Sequence, residues 1–68
     1  MQNTNTVTLR TNLSLVIDAR IALGAARRAY AAALAAHVAA RTDATRAAVN
    51  LAARDRENAE LALREAQM

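Results

Sequence analysis

Ser14, Asp18 and His37 are the one set of residue types in this chain from which a nucleophilic relay could be built. Such a relay works only when the three side chains lie within hydrogen-bond reach of one another. Asp18 and His37 fall on the same helix-forming stretch, about 28 Å apart at about 1.5 Å per residue, so they cannot meet. His37 is the sole histidine, there is no cysteine, and no second strong metal ligand lies within a helical turn of it. Thiolate zinc sites and disulfides are therefore excluded, and no cofactor or metal is expected. A single glycine, Gly24, rules out a phosphate-cradling loop. The carboxylates of the second half alternate with arginines at helical spacing, as in Glu60 and Arg64, and read as a solvated ion-pair face. The expectation is a protein without catalytic activity, and His37 reads as a hydrogen-bonded histidine on a helix face.

The other residues with chemical potential are Arg20, Arg27, Arg28 and Tyr30. They interrupt an otherwise apolar arc, and arginine and tyrosine are enriched in the residues that dominate binding interfaces. Two readings are open. In one, these arginines pair within the chain: a turn near Thr42–Asp43 makes residues whose numbers sum to about 85 face each other. That sets Arg20 near Glu65, Arg28 near Glu57, and Asp55 near Arg27 and Tyr30. In the other, they remain exposed and contact an acidic patch on a partner. Charge is uneven in the same sense. From Leu9 to Arg41 five arginines meet Asp18 alone, a net of +4, while from Thr42 onward four arginines meet five acids, a net of −1. All nine basic residues are arginine, which with the alanine content points to a GC-rich genome.

The elements that must carry these residues are helices. Alanine dominates, proline is absent, and glycine occurs once, so the strongest helix former is abundant and the breakers nearly missing. The fold class is all-α. Residues 1–10, rich in Asn and Thr, read as a flexible tail. Thr11, Asn12 and Ser14 are candidate N-caps for a first helix over 12–41. The polar run Arg41–Thr42–Asp43–Ala44–Thr45 marks a turn, with Thr42 or Asp43 capping a second helix over 43–67. One unbroken helix from Asn12 to Gln67 is the rival, since no Gly or Pro enforces the turn.

Two rows with 4-3 spacing favour the hairpin. Leu15, Ala19, Ala22, Ala26, Ala29, Ala33, Ala36 and Ala40 form one, and Thr45, Ala48, Ala52, Asp55, Ala59, Ala62 and Ala66 the other. Small seams let two backbones approach closely. Alanine alone buries too little, at about 0.8 kcal/mol per methyl, so the larger residues need cover as well. Leu13, Val16, Leu23, Leu34 and Val38 are the candidate dimer interface, and two antiparallel hairpins would close into a four-helix bundle as a homodimer. A chain this short has no other available staple.

Met1 to Leu9 carries no basic n-region, and the apolar run Ala29 to Ala40 is too short for a span of about 20 residues. A cytoplasmic location without membrane contact is expected. In length, Ala/Arg composition and two-helix layout over Asn12 to Gln67, the chain resembles small host-takeover inhibitors of temperate phages, such as the quorum-sensing anti-activators. That resemblance implies binding and inhibition of a bacterial regulatory protein, and it transfers no residue roles. The layout also resembles the plasmid repressor-of-primer proteins, which implies RNA or DNA binding by a helical bundle. A net charge of +3 with one aromatic residue is thin for that second class.

Overall fold

The computed structural model describes the backbone of residues 4–68 and the side chains of residues 13–68. Two helices, α1 (Thr4–Ala39) and α2 (Asp43–Ala66), pack antiparallel into a hairpin 61 Å long and 13 Å across. The single continuous helix is excluded by the turn at residues 40–42.

That turn forms without glycine, proline or positive φ, so the local side chains must hold it. Thr42 is the N-cap, in extended conformation, and forms a reciprocal box with Thr45. The Thr45 amide donates to Thr42 Oγ1 at 3.1 Å, and the Thr42 amide donates to Thr45 Oγ1 at 3.0 Å. A threonine fills the place usually taken by Glu or Gln. The Thr45 hydroxyl then donates to the Ala40 carbonyl at 2.8 Å, which joins the end of α1 to the first turn of α2.

α1 begins at Thr4, not near Asn12. Residues 4–10, expected as a tail, are helical, and the candidate caps Thr11, Asn12 and Ser14 lie inside the helix; residues 1–3 lie outside the described residues. Extending an existing helix through Thr and Asn costs at most about 0.7 kcal/mol per residue, and no Gly or Pro stops it before Gly24. α1 also ends two residues before the expected Arg41.

The seam is displaced from the expected rows. On α1, Ala19, Ala26 and Ala33 do face α2, but they alternate with Val16, Leu23, Tyr30 and His37; Leu15, Ala22, Ala29, Ala36 and Ala40 are exposed. On α2, Thr45, Ala52, Ala59 and Ala66 alternate with Val49, Arg56 and Leu63, while Ala48, Asp55 and Ala62 face outward. Rolling each helix this way covers Leu and Val side chains instead of methyls, and burial scales with apolar area. The result interleaves large and small residues along both helices. Leu23 and Ala52 are the most deeply buried, at 7% and 8% exposure.

Register leaves one end of α1 without cover. Facing residue numbers sum to 86 for Tyr30 and Arg56 and to 87 for Arg27 and Glu60, so Ala66 at the end of α2 faces about position 20. The stretch of α1 from Thr4 to Asp18, Val16 included, therefore projects past α2, roughly 22 Å of helix at 1.5 Å per residue.

Candidate interaction surface

The residues with chemical potential do not converge. Ser14, Asp18 and His37 all lie on α1, Ser14 and Asp18 exposed near one end and His37 at the turn. Among the described residues no group of three His, Asp or Glu could hold a metal ion. His37 Nδ1 lies 2.7 Å from Thr45 Oγ1. The same hydroxyl is in hydrogen-bond reach of the Ala40 and Thr42 carbonyls, at 2.8 and 3.0 Å. His37 thus helps fasten the turn.

The pairings expected for the arginines are replaced by others. Arg27 Nη2 lies 3.8 Å from Glu60 Oε2, with the two side chains 61% and 38% exposed. At that distance and exposure the pair is a loose surface contact of the kind that adds little stability. Tyr30 meets Arg56, whose Cζ sits 4.6 Å from the ring centroid. Asp55, expected beside Tyr30 and Arg27, is on the outward side. The register differs from the expected sum by only one or two, but the roll of α2 exchanges Asp55 for Arg56 at the seam.

Arg20 and Arg28 are exposed, and the Arg28 guanidinium folds back along its own helix over Gly24, with Nη1 3.5 Å from where a Cβ would stand. Tyr30 is half-buried, so of the four candidate contact residues only the arginines face solvent. The candidate dimer residues also separate. Leu23 is consumed by the hairpin's own seam and is corrected from a dimer contact to a core residue. Val16 is half-buried, while Leu13 (62%), Leu34 (38%) and Val38 (72%) remain exposed.

Arg56 is the residue that sequence reasoning missed. A charged side chain on a seam row reads as surface when a neighbouring row is richer in alanine, even one that carries Asp55. The signal was its place seven residues from both Val49 and Leu63.

Two surface features stand out, one apolar and one mostly polar. One is the outer side of α1, where Ile17, Ile21, Ala31, Ala35 and Val38 are all exposed. The other is a shallow groove of about 310 Å³ at the end of the hairpin, lined by Leu23, Arg27, Glu60, Leu63, Arg64 and Gln67. α2 differs, since its outward side carries Arg54, Asp55, Glu57 and Arg64. Among the described residues no helix is long and apolar enough to cross a membrane. Compared with protein-family models, curated proteins and solved structures, the chain matches none of them.

Proposed function

We propose that this chain is a non-enzymatic binding protein that modulates, by inhibition, a bacterial protein partner, in the manner of the small phage-encoded anti-activators its layout resembles. One observation carries the reading: from Ile21 to Ala39 α1 is apolar apart from Arg27, Arg28 and His37, yet α2 covers only one side of it. A helix of that kind is ordinarily enclosed by other helices. α2 is amphipathic, with a mostly charged outer side on which Leu51 and Leu61 are exposed singly.

Homodimerisation into a four-helix assembly covers part of this surface. Arg20, Arg27 and Arg28 form the surface for a partner with an acidic patch. Tyr30, held under Arg56, contributes from behind by bracing the helix. Exposed arginines along α1 also suit nucleic-acid phosphates, the second reading. Capture from a GC-rich bacterial lysate, with and without nuclease and across a salt series, separates the two. A protein partner survives nuclease, while phosphate binding falls steeply with salt as counterions are released. Loss of all capture after nuclease would overturn the protein-binding reading.

A further inference from the structure

Of the six large exposed apolar side chains of α1, Leu13, Leu15, Ile17 and Ile21 lie toward one end and Leu34 and Val38 toward the turn. Leu13 (62% exposed), Ile17 (56%) and Ile21 (65%) stand four residues apart, on and next to the part of α1 that projects beyond α2. Spacing of four makes them a single i, i+4 ridge. It climbs from the flank of the seam to the side of α1 turned away from α2. Nothing in the hairpin covers it.

We propose that a second copy of this chain docks on the Leu13–Ile17–Ile21 ridge, ridge against ridge, with the two α1 helices crossing near Ile17 and the α2 helices outside. The inference rests on the dimer reading above and gives it a place and a geometry. Surface area identifies the occupant first. The chain exposes 5210 Å², whereas a compact folded chain of 7.2 kDa exposes about 4,100 Å². The excess, roughly 1,100 Å², exceeds the ~800 Å² that each partner of a stable complex removes from water.

Continuity points the same way. Val16 and Ala19 continue the heptad row that packs on α2, and Val16 lies beyond the point that Ala66 reaches. Val16, three residues from Leu13, links the hairpin's apolar interface to the ridge, with the exposed Arg20 beside that link. Shape supplies the third argument. Ridges of the i±4 kind interdigitate with identical ridges at a crossing angle of about −50°. A ridge that fits its own copy is what a two-fold dimer requires, because the same patch must serve both sides. Helices crossing at that angle diverge away from Ile17, which keeps the two Arg28 guanidiniums apart.

The described chain has no cysteine, so a single introduced thiol reports on proximity between copies. Ile17→Cys and Leu51→Cys make a matched pair, since Ile17 is 56% and Leu51, on α2, 57% exposed. Under mild oxidation of the full chain, Ile17→Cys should form covalent dimer at least about tenfold faster than Leu51→Cys. Light scattering of the unaltered chain at micromolar concentration should give twice 7.2 kDa. Ile17→Asp should raise the dimer dissociation constant by about a hundredfold, equivalent to about 2.7 kcal/mol, with unchanged helical circular dichroism. A chain that stays monomeric overturns both the ridge and the dimer. A dimer that is insensitive to Ile17→Asp, with equal cross-linking at Leu51, overturns the ridge alone.

Discussion

Arg56 Cζ lies 4.6 Å from the centroid of the Tyr30 ring, so the middle of the helix–helix seam is filled by a cation on an aromatic face. Its Nε is buried and without a hydrogen-bond partner among the described residues. Attraction to the ring and packing of the aliphatic stem offset the cost of that buried donor.

A double-mutant cycle on Tyr30 and Arg56 should give a coupling of about 0.5–1 kcal/mol in urea unfolding, the scale of a partly exposed cation–π pair. Arg56→Met keeps the stem and removes the unpartnered donor, so it should be neutral or stabilise by up to about 1 kcal/mol. A loss of more than about 2 kcal/mol on Arg56→Met would show that the guanidinium itself holds the seam.

Thr45 should be the most sensitive residue of the turn. Thr45→Val keeps the shape but removes the hydroxyl that meets His37, the Thr42 amide and the Ala40 carbonyl. The expected loss is about 1 kcal/mol, the usual range for loss of a helix-capping hydrogen bond. Thr45→Ser should restore most of it. Equal melting temperatures for the Val and Ser variants would mean that the turn is held by packing alone.

The roll of α1 is tested by pairs of alanines. Ala26→Leu and Ala33→Leu enlarge half-buried seam positions and should destabilise by about 1–3 kcal/mol. Ala22→Leu and Ala29→Leu alter exposed positions and should stay within about 0.5 kcal/mol of the parent. The reverse pattern in thermal melts would put the seam on the Ala22–Ala29 row.

For binding, Arg20→Ala, Arg27→Ala and Arg28→Ala should each leave the hairpin folded. An arginine at the centre of the partner contact should cost about 2 kcal/mol or more of affinity. Arg27→Ala should cost at most about 1 kcal/mol of stability, because its pair with Glu60 is an exposed one. Full capture of the partner by all three variants would remove α1's arginines from the binding surface.

What the sequence determined by itself was local. The all-α class comes from alanine and the near absence of breakers. A turn within Arg41–Thr45 and a cap at Thr42 or Asp43 come from side chains that bond to amides a few residues away, so the relevant chemistry is adjacent in the chain. The start of α1 was not legible, because Thr and Asn in residues 4–12 suit both a cap and a tolerated helix interior, and only the neighbouring turns decide. Tertiary structure alone chose the seam. An alanine-rich helix carries several overlapping 4-3 rows that differ by one residue, and local propensity does not distinguish Ala22–Ala29 from Leu23–Tyr30. The choice is made by the area each row covers against the other helix, and that same choice set Arg56 rather than Asp55 against Tyr30. The overhang that exposes Leu13, Ile17 and Ile21 was settled the same way, because it depends on register and on where α1 starts relative to the end of α2.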